Sequence, residues 1–485
     1  MPEIAVLSVV SELYPLVKTG GLADVSGALP GALAAVGVRM VSLIPGYPAV
    51  MAALESAEEV HTFPDLFGGR ARLLHAHAAG LELLVIDAPH LYDRPGSPYL
   101  APGGVDWPDN AIRFAALSAV GAYVGAGHLG AFQPHVVHAH DWQAGLTAAY
   151  IYYGGAADRV ATVMTVHNLA FQGKFPAEIL PSIGLPPHAF SLGGVEFYGS
   201  VGYLKAGLLL SDRITTVSPT YALEITTPDG GMGLDGLLRA KANALVGIVN
   251  GIDTSVWNPA TDPLIEASFD AKSMKGRAIN KAVLQRAFGI DVDPSRPLFG
   301  LVSRLSWQKG PDLLLESASA LIAAGGQLVV LGSGDHTFEN AFRGLVAAHP
   351  DRIGVVVGYD EALAHRVQAG SDVILVPSRF EPCGLTQLCA LRYGALPLVA
   401  RVGGLADTVI DANEAALAAG VATGFQFAPT TADMLQRALA RVAALWDDRE
   451  RWGRMQKNAM TMDVSWAGPA ARYAALYREV LAERR

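Results

Sequence analysis

Short apolar, β-branched runs recur along the chain with helical stretches between them, and no other feature narrows the possible folds as much. A first series covers residues 4–10, 40–44, 81–86, 135–138, 160–166 and 213–217. A second covers 298–302, 327–331, 353–357, 372–376, 396–400 and 424–427. Each series predicts a parallel sheet wrapped by helices, so the fold class is α/β with two doubly wound domains. A length of 485 residues agrees, being too great for one ordinary core. Between the series, Asn250-Gly251-Ile252-Asp253 to Trp257-Asn258-Pro259 has turn chemistry and no periodicity, which puts the hinge near 250–262.

A formal charge of −9 argues against a surface that neutralises nucleic-acid phosphates, and no Lys/Arg block appears, so any anionic ligand has to be held by local groups. Residues 114–140 lack formal charge but are rich in Gly and Ala and carry Ser118, His128, Gln133, Pro134 and His135. They fit a buried helix and strand better than a membrane span. The start, Met1-Pro2-Glu3, has no basic n-region or cleavage site, so the cytoplasm is expected. Cys383 and Cys389, six positions apart at a strand-to-helix junction, suit neither a bridge nor a zinc site and fit a reduced compartment.

Polar loops follow the strands. Arg379-Phe380-Glu381-Pro382-Cys383-Gly384-Leu385-Thr386-Gln387 sets a carboxylate, a thiol and free backbone N–H groups in a loop that opens a helix. In open α/β sheets that is where ligands bind. Lys18-Thr19-Gly20-Gly21-Leu22 precedes an Ala-rich helical pattern, and adjacent glycines at a helix N-terminus let amides approach an anion. It is neither a P-loop nor a dinucleotide fingerprint. Gly20-Gly21-Leu22-Ala23-Asp24 reappears as Gly403-Gly404-Leu405-Ala406-Asp407, an internal echo of the doubling.

Ser303-Arg304-Leu305-Ser306-Trp307-Gln308-Lys309 places two cations after a strand: Arg304 can grip a phosphate through two N–H groups while Lys309 acts as a point charge, a pair suited to a diphosphate. His138-Ala139-His140-Asp141-Trp142 offers a His-x-His pair. Strand alternation is expected to turn alternate side chains to opposite sides, and no third ligand accompanies them, so no metal site is expected. His167-Asn168, with His-Asp-Trp, suggests a polar, aromatic-lined sugar pocket. Gly332-Ser333-Gly334-Asp335 and Gly358-Tyr359 end two further strands, and Tyr359 is placed to stack on a base.

Taken together, Lys18 to Leu22, His138 to Trp142, His167-Asn168, Asn250 to Asp253, Arg304 with Lys309, and Glu381 to Leu385 resemble bacterial glycogen synthases and plant starch synthases, in order and across essentially the whole chain. The resemblance implies the GT-B fold, two Rossmann-like doubly wound domains facing across a deep cleft. Residues 1–250 would form the N-terminal, acceptor-side domain, with 464–485 as a helix packing back on it, and 251–463 the C-terminal donor domain. It implies transfer of glucose from ADP-glucose to the non-reducing 4-OH of an α-1,4-glucan (glycogen), with retention.

The implied catalytic residues are His167, Arg304, Lys309, Glu381 and Asp141. Lys18 and the amides of Gly20 and Gly21 would cradle the ADP phosphates, and Arg304 and Lys309 would neutralise the departing diphosphate without a metal or other cofactor. Glu381 would hold sugar hydroxyls, with Cys383, Gly384, Leu385 and Thr386 completing the donor pocket, Asn250 touching the donor sugar and Tyr359 the base. His167 would contact the glucose 6-OH. Tyr99 and Asn168 are the acceptor-side candidates. Ser11-Glu12 matches the usual family start, whereas 199–205 departs from the family pattern. A related retaining GT-B transferase using UDP-glucose, or a catalytically silent glucan-binding protein, stays open from these residues. A glucan phosphorylase would need a longer chain and a pyridoxal-phosphate lysine motif. Oligomeric state is not legible; no nucleic-acid or membrane partner is expected.

Overall fold

A computed structural model describes residues 3–130 and 132–484. Met1 and Pro2, part of the N-terminal reading, and Arg485 lie outside them. The chain divides into two compact units, Met1–Asn250 with Trp466–Arg485, and Gly251–Ser465.

In the first unit nine strands form one sheet, in the order Leu245–Gly247, Arg213–Thr216, Ala161–Val166, Val136–His140, Ile4–Val9, Val38–Pro45, Leu81–Asp87, Ala71–Ala78 and Ser56–Phe63. The run from Leu245–Gly247 to Leu81–Asp87 is parallel, and the last two strands pair antiparallel. The parallel strands are mostly buried and largely apolar because helices cover both faces, with buried polar exceptions such as Ser8, His138 and His140. The antiparallel pair is absent from the expected strands for a physical reason: Ser56–Phe63 is an edge strand with no buried residue, and its Glu and His positions give no apolar run. A small antiparallel sheet of Lys174–Pro176, Ser200–Gly202 and Glu196–Phe197 is likewise too short to leave a pattern.

The helix Ala467–Glu483 packs on the first helix, Gly21–Ala34. Val25, Leu29 and Leu33 meet Ala470, Tyr473, Tyr477 and Val480 in one buried cluster. Its far end is tied by Arg484 to Asp212 at 2.6 Å. Val464 stays with the second unit, where its carbonyl accepts from the Ile252 amide at 2.9 Å, so the return begins two residues later than expected.

The second unit has six parallel strands in the order Ile353–Val357, Gln327–Gly332, Leu298–Val302, Val373–Val376, Leu396–Ala400 and Phe425–Phe427. Each sheet reverses its winding once near the middle: between Ile4–Val9 and Val136–His140 in the first, and between Leu298–Val302 and Val373–Val376 in the second. At such a reversal the loops leaving two neighbouring strands diverge and open a crevice at their carboxyl ends.

Candidate functional site

In the first unit the crevice is organised by Glu12, noted above only as part of the family start. It is 3% exposed, directly after the first strand. Its carboxylate accepts from the Thr19 amide at 2.5 Å, the Thr19 hydroxyl at 2.6 Å, the Gly20 amide at 3.0 Å and the Tyr99 hydroxyl at 2.5 Å. The anion that meets the Gly20 amide is thus Glu12, which corrects the expectation that this N–H stands free. Tyr99 also bonds Ser11 at 2.8 Å, so its hydroxyl braces the loop. Lys18 pairs with Asp24 at 2.7 Å. A Cβ at Gly20 or Gly21 would meet nothing within 4 Å, and Gly20 has an ordinary extended φ of −154°. Neither packing nor backbone demands glycine there.

Asp141 follows the strand Val136–His140 with φ at 54°, a strained left-handed value for a non-glycine residue. Its carboxylate accepts from the His167 amide at 2.7 Å. Burial pushes its pKa up to about 7, against the lowering effect of the His167 and Asn168 amides; the nearby Glu12 charge adds to the rise. For a raised carboxyl, stability is fully present below the unfolded value and is lost as pH rises through about 7. Asp141→Asn keeps the amide contact without the charge. It is expected to raise the melting temperature by about 2–4 °C at pH 8 and by less at pH 5, read by calorimetry.

The His167 ring contacts His140, Nε2 to Nδ1 at 3.0 Å, and His140 Nε2 lies 3.3 Å from Ser8 Oγ. His138 and His140 share one face of their strand, with ring centroids 4.1 Å apart. The expectation that alternation would part them is corrected: residues two apart in a strand line the same face. His138 bonds Tyr477 at 2.8 Å and Thr165 at 2.5 Å. Burial lowers His138 and His167 to about 3 and His140 well below the ordinary value, so all three are neutral at pH 7. The Asn168 side chain accepts from the Ala170 amide at 3.0 Å, shaping its turn. Asn250 is buried, and its Oδ1 meets no donor among the described residues.

In the second unit the loops after Leu298–Val302 and Val373–Val376 are clamped together. The Arg379 amide donates to the Gln308 carbonyl at 2.8 Å, and its guanidinium pairs with Asp312 at 2.5 and 2.8 Å and lies over the Trp307 ring. Lys309 reaches both Glu381 oxygens, at 2.6 and 2.9 Å, and the Ser378 hydroxyl donates to the same carboxylate at 2.8 Å. Lys309 and Glu381, given separate roles above, are therefore direct partners here. They line one pocket with Ser303, Gly384 and Thr386. Arg304 is exposed, and no acceptor meets its side chain among the described residues.

Gly384 has φ at 76°, and a Cβ there would lie 2.4 Å from Gln387 Oε1. Cys383 is buried, and the Gln387 amide bonds the Cys383 and Gly384 carbonyls, so the loop before the helix Thr386–Tyr393 is held rigidly, with Leu385 capping that helix. Gly403 and Gly404 seat it from behind: a Cβ on either would lie 2.0–2.3 Å from the carbonyls of Glu381 and Cys383. Tyr359 is 74% exposed, with its hydroxyl 3.2 Å from Glu361. Among the described residues no group of three or more His, Cys, Asp or Glu could hold a metal ion, and no helix is long and apolar enough to cross a membrane.

The chain matches the starch synthase catalytic domain over residues 5–240 and the glycosyl transferases group 1 over 287–459. It is 62% identical over 484 residues to a glycogen synthase of Rhodopseudomonas palustris (strain BisB18), covering 100% of this chain and 99% of that one. It is 61% identical over 484 residues to a glycogen synthase of Methylocella silvestris, covering 100% of both. The catalytic domain of starch synthase IV from Arabidopsis thaliana, solved bound to ADP and acarbose, superposes with a TM-score of 0.88 at 31% identity over 99% of both chains. A sucrose-phosphate synthase from Thermosynechococcus elongatus, 18% identical over 100% of both chains with a TM-score of 0.59, shares the fold. With the two parallel sheets, these likenesses make the fold GT-B.

Proposed function

The chain belongs to the family of bacterial glycogen synthases and plant starch synthases, and from that membership we infer that it builds glycogen by transferring glucose from ADP-glucose. It is a glycosyltransferase. We further propose that the acceptor is the non-reducing 4-OH of an α-1,4-glucan, that configuration is retained, and that no metal takes part. Work in the cytoplasm belongs to the same reading.

The observation that carries the proposal is the second unit's loop pair, where Arg304, Lys309 and Glu381 stand at the carboxyl ends of adjacent strands flanking the sheet's reversal. Breaking the bond to the anomeric carbon builds positive charge on the sugar and negative charge on the leaving diphosphate. Cations fixed beforehand at the diphosphate stabilise that state more than the ground state. Arg304 and Lys309 are assigned this role in place of a metal. Glu381 holds sugar hydroxyls beside them, with the amides of Cys383 to Thr386 lining the donor pocket and Tyr359 assigned to the base. Because glycine at 20 and 21 is required by nothing within the chain, close approach of a phosphate to the Gly21 amide and Lys18 accounts for it. His167, Asp141 and Asn250 are assigned to the donor sugar, and Asn168 and Tyr99 to the acceptor side, Tyr99 by bracing the Glu12 loop. Attack by the acceptor hydroxyl on the face the diphosphate leaves, with a phosphate oxygen taking its proton, gives retention.

The test is nucleotide release from ADP-glucose or UDP-glucose, offered with glycogen in the presence of EDTA. Glycogen-dependent ADP release, with only α-1,4 linkages in the NMR spectrum of the product, is the expected result. Activity abolished by EDTA would overturn the metal-free mechanism, UDP release in preference would move the chain to another donor, and a β linkage would overturn retention.

A further inference from the structure

Beneath His167 the buried polar groups can be inventoried proton by proton. Ser8 lies in the strand Ile4–Val9 and is 1% exposed. Among the described residues its hydroxyl has one partner, His140 Nε2 at 3.3 Å. His140 in turn has one further partner, His167 Nε2, 3.0 Å from its Nδ1. The His167 ring has no other hydrogen bond among the described residues, which leaves its Nδ1 for a ligand.

Both rings are neutral, since burial opposes their charging, and each therefore carries one ring proton. If His140 gave its proton to Ser8, the serine hydrogen would have no acceptor, a buried donor left unmade. If Ser8 donates to His140 Nε2 instead, the His140 proton sits on Nδ1 and points at His167 Nε2. That nitrogen is then an acceptor, and the His167 proton sits on Nδ1. Only this order leaves no buried hydrogen on Ser8 without an acceptor and places the one remaining hydrogen on the Nδ1 of part-exposed His167, where a ligand can meet it.

We propose that Ser8 and His140 are positioning residues that lock His167 in its Nδ1–H tautomer, so that it offers a hydrogen-bond donor to a hydroxyl oxygen of the donor sugar. The inference rests on the sugar contact assigned to His167 above. The relay works through strand pairing: Ser8 stands opposite His138 in the sheet register, which brings His140, two residues on, within reach of the serine. The imidazole of His140 supplies rigidity, because its two nitrogens are fixed in one plane and turning it costs both bonds together.

The experiment uses the full chain with four substitutions. His140→Asn keeps an N–H where Nδ1–H stood, His140→Leu removes it, Ser8→Ala removes the first donor, and His167→Ala removes the ring that is oriented. His140→Leu is expected to lower kcat about tenfold or more with the ADP-glucose KM changed by less than about twofold, and His140→Asn to recover most of that loss. Ring 15N chemical shifts are expected to show His167, identified by its absence in His167→Ala, protonated at Nδ1 in the wild type and mixed in Ser8→Ala. This readout survives if His140→Leu fails to fold, a point its melting curve decides. A wild-type His167 protonated at Nε2 would overturn the proposal, as would equal losses in His140→Asn and His140→Leu at equal melting temperature. Full turnover by His167→Ala would refute the sugar contact instead, and the ring shifts would then judge the relay by themselves.

Discussion

Lys309→Ala is expected to lower kcat by about 10²–10³, because it removes a preorganised cation from the charge that develops on the leaving diphosphate. The structure adds a second expectation. Lys309 spans both oxygens of Glu381, whose side chain is 9% exposed, so the alanine variant leaves that carboxylate with Ser378 alone. A nearly buried charge stripped of its partner costs about 1–3 kcal/mol, which is a fall in melting temperature of a few degrees. Adding Glu381→Gln removes the stranded charge, and the double variant is expected to regain its melting temperature without regaining turnover. Arg304→Ala provides the contrast. Arg304 is exposed and meets no acceptor among the described residues, so its loss is expected to leave the melting temperature unchanged while kcat falls by a similar factor. Near-normal kcat in either single variant would remove that residue from the diphosphate. A double variant as active as the wild type would show that the pair serves the fold alone.

Acid is expected to unfold the first unit steeply. His138 and His167 are held near 3 and His140 is held low by burial, so the native state refuses protons that the unfolded chain binds from about pH 6.5 downward. A base whose folded pKa is depressed contributes stability that is fully present above the unfolded value and is lost as pH falls from there toward the folded value. Three such groups, opposed by the raised carboxyl of Asp141, give a net slope of about 3 kcal/mol per pH unit between pH 6 and pH 4. Urea unfolding at pH 7.5, 6.0 and 5.0 measures it, and His138→Asn is expected to reduce the slope by about 1.4 kcal/mol per pH unit. A transition midpoint that stays level from pH 7.5 to 5.0 would mean that the rings charge freely inside the fold.

The sheets and the loops at their reversals were legible because strand alternation is a property of apolar side chains, which a sequence displays directly. What it could not display is which polar group serves which. Gly20-Gly21 and Gly403-Gly404 look alike in sequence, yet the first pair faces open space and the second is pressed against the carbonyls of Glu381 and Cys383. Glu12 is one carboxylate among many until the fold brings Thr19, Gly20 and Tyr99 to it; its place directly after the first strand was the available signal. His140 reads as a possible metal ligand or as one wall of a sugar pocket, and its contact with His167, 27 residues away, comes through the pairing of parallel strands. Ser378 lies three residues before Glu381 and could have been found by asking what balances a buried carboxylate.

The helix that returns to the first unit also fixes an order of events in synthesis. The second unit is continuous, Gly251–Ser465, and all of it is synthesised before residue 466 is added. The first unit then still lacks Tyr473, Tyr477 and Val480 from the cluster around Val25 and Leu29, and His138 still lacks the hydroxyl that bonds its Nδ1. Although its strands are made first, the first unit is the last to close, and until then a strip of its helix Gly21–Ala34 stays bare. A nascent chain of this kind therefore holds its first unit open until release from the ribosome frees the helix Ala467–Glu483 to dock on it.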